Sequence, residues 1–135
     1  MNRLLVIGLI PMLAVIVMAG AAAIPTAKPE PRQAHMVFFT LKDSSPEARS
    51  EFVESCKKYL TGHEGTVSVS FGTIAEDIVE PNVSVRDFDV ALHLVFENKE
   101  AGQKYLVNPR HQEFVEKNKA KFAKVRVFDS YLAAE

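Results

Sequence analysis

The stretch FDVALHLVF, residues 88–96, constrains the fold most, because apolar side chains lie on both sides of a two-residue alternation. Residues 35–42, HMVFFTLK, show the same property, with His35, Val37, Phe39 and Leu41 on one face and Met36 and Phe38 on the other. A strand with apolar side chains on both faces is stable only where both faces are shielded from water. We therefore expect these two segments to form the central strands of one sheet.

The remaining segments alternate between helix and strand signals. Ser45 and Pro46 can open a helix in which Phe52, Cys56 and Leu60 share one face, and Gly62 or Gly65 can end it. Residues 66–73 alternate as a half-exposed strand, and 74–87 form a long connection. Residues 99–106 and 109–122 are predicted as a broken helix, and 124–132 as the last strand. The order β-α-β-β-α-β predicts a ferredoxin-like α+β fold, with two helices on one face of a four-stranded antiparallel sheet.

The face of this sheet that the helices do not cover is also apolar. Two helices cover only one side of a four-stranded sheet. The other side is predicted to present Met36, Phe38, Ala91, Val95, Phe128 and Leu132. Soluble monomers rarely expose an apolar patch of this size. We therefore predict a homodimer in which the open faces of two sheets pack together.

The N-terminal region has the features of an export signal. A short basic start precedes an apolar run from Leu4 to Met18, and small residues at 19–23 offer cleavage positions, so residues 1–23 are predicted as a signal peptide. The alternative is a membrane anchor through residues 4–24, in which case the protein contacts a membrane. Residues 24–34 are interpreted as a linker and 35–132 as one domain. The single cysteine, Cys56, excludes an internal disulfide.

Charge and motifs exclude several classes of function. The chain has 16 basic and 17 acidic side chains, so its charge does not favour nucleic acid. It contains no glycine-rich phosphate loop, and we predict no cofactor. A metal site is not expected either, because the alternation places His35 and His93 on opposite faces of the sheet. Asn82 begins an Asn-Val-Ser acceptor sequence for N-glycosylation.

A candidate pocket lies at YLVNPRHQEF, residues 105–114. Asn108 is a plausible N-cap and Pro109 a favourable first residue, which places His111 in the first turn of a new helix after Tyr105. The helix dipole and Arg110 both disfavour protonation of His111, so we expect a neutral imidazole suited to a general base. His35 is expected to point toward the helices. His63, between two glycines, is expected to be solvated.

Together these segments resemble the stress-responsive alpha/beta-barrel (Dabb) family over about residues 35–132. The similarity is carried by HMVFFTLK, FDVALHLVF, the YLVNPRHQEF break and the closing VRVFD. It implies a ferredoxin-like fold that dimerises into an α/β barrel. Most relatives have no established activity, but a minority resemble polyketide cyclases. In those proteins a first-strand histidine, a helical tyrosine and a histidine after the proline assist an aldol-type ring closure.

By this resemblance the three catalytic roles fall on His35, Tyr105 and His111. Asn108 stands where many relatives have histidine, and Cys56 stands where cyclase-like members can have tyrosine, with Tyr59 one turn away. Candidate ligand-binding residues are therefore Phe39, Cys56, Tyr59 and Asn108.

Two classes of function remain open from the sequence. The first is a noncatalytic exported domain that dimerises and binds a small apolar or phenolic ligand. The second is a metal-free cyclase or lyase acting on a polyketide-like or carbonyl substrate, with His111 as base, Tyr105 polarising a carbonyl and His35 shuttling a proton. The catalytic alternative requires a cavity of roughly 300 Å³ beside Tyr105 and His111.

Overall fold

The computed structural model describes residues 29–133, and the predicted signal peptide and residues 24–28 of the predicted linker lie outside this range. The elements, in chain order, are β1 (Gln33–Leu41), α1 (Pro46–Leu60), β2 (Thr66–Thr73), β3 (Val90–Phe96), α2 (Lys99–Val107), α3 (Pro109–Asn118), a 3₁₀ turn (Lys119–Lys121) and β4 (Phe122–Tyr131). The strands form one antiparallel sheet in the order β2-β3-β1-β4. The predicted ferredoxin-like fold, with central β1 and β3, is confirmed. Every helix within the described range is too short or too polar to cross a bilayer.

The main core lies between the sheet and the helices. Its buried members include Val37, Phe39 and Leu41 of β1, Leu92, Leu94 and Phe96 of β3, Phe52 and Leu60 of α1, and Phe114 of α3. In β1 and β3 these residues alternate with residues of the opposite face, as a two-residue period requires. Aromatic rings account for much of this core, since Phe39 packs against Phe52, Phe114 and Phe122 with ring centroids 4.9 to 6.3 Å apart.

Several element boundaries differ from the sequence prediction. Helix α1 ends at Leu60, before either glycine, and Thr61 occupies its C-cap. Strand β3 begins at Val90, because the buried Asp89 turns to accept hydrogen bonds from the Leu41 backbone N–H and from Arg49. Phe122 was assigned to the helix, but it begins β4 and pairs with Leu41.

The open face of the sheet follows the predicted alternation. Met36 pairs with His93 on one side and Phe128 on the other, and the Phe38 ring lies 5.8 Å from that of Phe128. Phe128 is 56% exposed. Arg126 lies in the same row of β4 and forms an ion pair with Asp87. This face is therefore largely apolar but carries two cations in that row, Arg126 and Lys124, both paired with Asp87.

The connection between β2 and β3, residues 74–89, contains turns but no strand. Arg86 holds it together by donating to the carbonyl groups of Glu76 and Ile78 at 2.8 and 2.7 Å. Asp87 anchors it to β4 through Lys124 and Arg126. The long connection predicted over residues 74–87 is therefore confirmed, and it extends to Asp89.

Candidate functional site

The helix break is a double cap at Asn108. Its backbone N–H donates to the Tyr105 carbonyl and so ends α2, and its side-chain oxygen accepts from the Arg110 N–H and so starts α3. Pro109 follows as the first residue of α3. The chain therefore changes direction between Tyr105 and His111, which brings their rings to 4.5 Å between centroids.

Two glycines let α2 lie close to the sheet. Gly65 has φ +74°, and a Cβ there would lie 2.5 Å from the Cβ of Ala101. A Cβ on Gly102 would collide with the side chain of Gln33. Because α2 approaches so closely at its first turn, Tyr105 in its last turn is buried, at 2% exposure, against Phe96 of β3.

Three imidazoles surround the Tyr105 ring. His63 meets it edge to face at 4.9 Å, His111 lies at 4.5 Å and His35 at 6.0 Å, all measured between ring centroids. We call these four residues the histidine–tyrosine cluster. They come from β1, from the loop after α1, from α2 and from α3, so the cluster exists only in the folded domain.

Each imidazole has one ring nitrogen fixed by an oxygen that can only accept a hydrogen bond. His35 Nδ1 lies 2.8 Å from Asp129 Oδ1, His111 Nδ1 lies 3.1 Å from the Leu106 carbonyl, and His63 Nε2 lies 2.8 Å from the Tyr59 carbonyl. These nitrogens must carry the proton. In a neutral ring the opposite nitrogen is then an acceptor. No hydrogen bond among residues 29–133 occupies these three acceptor positions or the Tyr105 hydroxyl.

Burial decides the protonation of the cluster. Burial lowers the pKa of His111, the Leu106 carbonyl opposes this, and positive charge on His63 or His35 would lower it further. The direction agrees with our prediction, but the main cause is desolvation. Burial also lowers the pKa of His63, the Tyr59 carbonyl opposes this, and Arg110 lowers it further. Burial raises the pKa of the Tyr105 phenol, so this group remains a proton donor at neutral pH.

The predicted ligand-binding residues occupy different parts of the domain. Cys56 is fully buried beside the cluster, and burial raises the pKa of its thiol to about 12. Asn108 forms the double cap described above. Tyr59 is buried, with its hydroxyl 3.4 Å from a carboxylate oxygen of Glu113. Phe39 lies in the aromatic core with Phe52 and Phe122.

His63 and Asp129 belong to the site but were not selected from the sequence. The expectation that His63 is solvated is wrong, since this residue is only 7% exposed. Its loop turns back toward the core through positive φ angles at Gly62 and Gly65. Asp129 reaches the site because β4 pairs it directly with His35. The glycines around His63 indicated a tight turn, whereas the β1–β4 register left no signal in a single sequence.

In the described part of the chain, cavities large enough for a small ligand lie away from the histidine–tyrosine cluster. A polar one of about 460 Å³ is lined by Arg49, Glu76, Arg86 and Asp89, and an apolar one of about 290 Å³ lies on the open face beside Phe38 and Phe128. Among residues 29–133, no group of three His, Cys, Asp or Glu side chains has the geometry to hold a metal ion.

Comparison with known proteins agrees with this architecture. The family model described as Stress Responsive A/B Barrel Domain matches residues 34–132. No curated protein sequence matches the chain.

Solved structures with the same fold are numerous. A Dabb family protein with a ferredoxin-like fold from Mesorhizobium loti has a TM-score of 0.64 at 21% identity, covering 78% of this chain and all of that one. Hydroxynitrile lyase from Passiflora edulis has a TM-score of 0.62 at 17% identity, with coverages of 80% and 98%. A dimeric ferredoxin-like protein of unknown function from Thermobifida fusca has a TM-score of 0.61 at 13% identity, with coverages of 76% and 92%. At these identities the similarity establishes the fold.

Proposed function

The chain belongs to the stress-responsive A/B barrel domain family, and we propose that it is an exported homodimer that binds a small phenolic or apolar ligand at the histidine–tyrosine cluster. One observation carries this proposal. The buried Tyr105 ring is surrounded by three imidazoles whose second nitrogens form no hydrogen bond within the described part of the chain. A ligand that covers these atoms takes them out of water, so it must itself supply their hydrogen-bond partners. A ligand with hydroxyl groups would satisfy them.

The surroundings of the cluster suit a small, partly apolar molecule. Phe96 and Cys56 border it on the inside, and both are buried. Leu106 and Val107, which lie next to the cluster at the end of α2, are exposed. His111 is only partly buried, so a ligand can approach from this side. The fixed acceptors would orient the ligand, and the apolar neighbours would supply most of the burial.

Binding can be measured by isothermal calorimetry with small phenols and purified protein. We expect Tyr105→Phe and His111→Ala each to weaken binding while the thermal unfolding temperature changes little for His111→Ala. His93→Ala is the matched control, since His93 lies on the opposite face beside Phe38. Equal affinity of the wild type and the His111 variant would contradict the proposed site.

The homodimer is supported by the open sheet face and by structural neighbours described as dimeric. Phe38, Phe88 and Phe128 form an aromatic group on this face, with Phe38 at 5.0 and 5.8 Å from the other two rings. A second copy would remove these rings from water. Burial of one phenylalanine side chain contributes about 1.5 to 3 kcal/mol.

Sedimentation velocity tests the dimer with a matched pair of variants. Phe128→Asp places a charge on the open face and should give a monomer. Val107→Asp changes a side chain that is 74% exposed on a helix and should leave the dimer intact. A monomeric wild-type protein at micromolar concentration would contradict the proposal.

Export is the part of the proposal that depends on residues 1–23. Intact mass measurement of protein recovered from outside the cytoplasm should show loss of these residues. Retention of the full leader in the membrane fraction would support the alternative of an anchor through residues 4–24 instead.

A second candidate function is a metal-free cyclase or lyase. The cavity of roughly 300 Å³ that it requires beside Tyr105 and His111 is not among those found in residues 29–133. The pairing of His35 with Asp129 favours this function, because the carboxylate fixes the tautomer in which Nε2 holds the lone pair and can receive a proton. The hydroxynitrile lyase from Passiflora edulis has the same fold. In this function His111 acts as base, Tyr105 polarises a carbonyl and His35 shuttles the proton. Turnover of a carbonyl or cyanohydrin substrate that His111→Ala abolishes would support it, and binding without turnover would exclude it for that substrate.

A further inference from the structure

His63 is the part of the cluster that neither the family resemblance nor the sequence pattern assigned. It lies in the loop between α1 and β2, is 7% exposed, and its ring meets Tyr105 edge to face at 4.9 Å. A histidine that only stabilised this loop would use its ring to cap α1. One ring nitrogen of His63 has this role, because it hydrogen-bonds to the Tyr59 carbonyl. The contacts of the loop give no role to the other ring nitrogen.

The Tyr59 carbonyl determines which ring nitrogen of His63 carries the proton and which one is left as an acceptor. A carbonyl oxygen only accepts, so Nε2 carries the proton and Nδ1 has the lone pair. Arg110 stands close by, since its guanidinium donates to the Thr61 carbonyl of the same loop. This positive charge and the burial of the ring both oppose a second proton. Nδ1 is therefore a hydrogen-bond acceptor, and no donor among residues 29–133 uses it.

We propose that His63 is a specificity-determining residue, whose Nδ1 accepts a hydrogen bond from a second hydroxyl group of the ligand. The inference rests on the proposed ligand-binding function and restricts the class of ligand that the site prefers. The cluster offers three imidazole acceptors and one phenol donor around a single aromatic ring. A ligand with one hydroxyl would take the remaining acceptors out of water without pairing them, which costs binding energy. The preferred class is a small neutral phenol with at least two hydroxyl groups.

The test compares resorcinol with 1,3-dimethoxybenzene, which has the same ring and substitution but no donor hydrogens. Wild-type protein should bind resorcinol about tenfold or more tightly than the diether, the difference expected from one or two neutral hydrogen bonds. In His63→Leu the affinity for resorcinol should fall about three- to tenfold, and the affinity for the diether should stay constant. His93→Leu serves as the control and should keep the preference.

A second measurement does not depend on the variant folding. In wild-type protein labelled with ¹⁵N at histidine, the unprotonated Nδ1 of His63 should move upfield on addition of resorcinol, because a lone pair that accepts a hydrogen bond is more shielded. A purely structural role would leave this resonance in place. An unchanged Nδ1 resonance would overturn the proposed role of His63, and so would a folded His63→Leu variant that prefers resorcinol to the diether as strongly as the wild type does. Neither result would exclude ligand binding at the cluster. Failure of both compounds to bind wild-type protein would overturn both proposals.

Discussion

His35 and Asp129 face each other across the β1–β4 pairing, with Nδ1 of the imidazole 2.8 Å from Oδ1 of the carboxylate. Gln33 donates to the same oxygen at 3.1 Å, so the carboxylate is held from two sides. The side chain of Asp129 is 52% exposed, whereas that of His35 is 9% exposed. A surface carboxylate thus fixes the tautomer of a buried ring that faces Tyr105.

Asp129→Asn should weaken ligand binding without unfolding the domain. An uncharged amide oxygen accepts the His35 hydrogen bond more weakly than a carboxylate, so the ring is held less firmly in the tautomer that leaves Nε2 as an acceptor. We expect about a tenfold loss of affinity for resorcinol by calorimetry, with a small change in unfolding temperature. Ser130→Ala, one residue along on the other face of β4, is the control. Unchanged affinity in Asp129→Asn would show that the tautomer of His35 does not matter for binding.

Gly65→Ala should destabilise the protein more than Gly62→Ala. Both glycines have positive φ, at +74° and +66°, so both substitutions carry the left-handed strain of about 1 to 2 kcal/mol. Only at Gly65 does the new Cβ meet a neighbour, Ala101, at 2.5 Å. Displacement of α2 should add about 1 to 3 kcal/mol. Urea unfolding of the two variants measures the difference, and equal losses would mean that α2 does not depend on this close approach.

Asp89→Ala should cost far more stability than Glu76→Ala. Both carboxylates pair with Arg49, but the side chain of Asp89 is 5% exposed and that of Glu76 is 65% exposed. Asp89 also accepts from the Leu41 N–H and from Ser44, so its loss leaves several buried donors unpaired. We expect a loss of about 3 kcal/mol for Asp89→Ala and at most about 1 kcal/mol for Glu76→Ala, measured by urea unfolding. Similar losses would contradict a buried structural role for Asp89.

Stability should fall as the pH is lowered from 7 to 5. The folded-state pKa values of His63 and His111 lie below the reference of 6.5, so the unfolded chain takes up protons first. As the pH falls below 6.5, the free energy of unfolding therefore decreases until the pH reaches the folded-state pKa values. Above pH 6.5 these two histidines do not change the free energy of unfolding. Urea unfolding at several pH values measures the slope. His63→Gln and His111→Gln should each flatten it, and His93→Gln should not. An unaltered slope in both variants would exclude these histidines as its cause.

Most of the fold was accessible from the sequence because its signals are local. Alternation in β1 and β3, the Ser45-Pro46 start and the Asn108-Pro109 break each depend on a few neighbouring residues. The same signals brought Tyr105 and His111 together, since the Asn108 double cap is a local structure. The open face also followed from alternation, including the position of His93.

The rest of the site depends on contacts between distant segments. Asp129 meets His35 only through the register of β1 with β4. The two residues are 94 positions apart in the chain, so no local pattern connects them. His63 is buried because two glycines with positive φ return its loop to Tyr105, and a histidine flanked by glycines is equally compatible with an exposed turn. The start of β4 at Phe122 depends on its packing with Phe39 and Phe52, which overrides the helical pattern before it.

The central claim is that a small phenol binds at the histidine–tyrosine cluster, and chemical-shift mapping of the purified protein with resorcinol tests it most directly. We predict that the largest changes occur at His35, His63, Tyr105 and His111, with saturation at a defined affinity. Changes confined to Phe38, Phe88 and Phe128 would place binding in the apolar cavity of the open face and contradict the account. The absence of any change at millimolar resorcinol would contradict it equally.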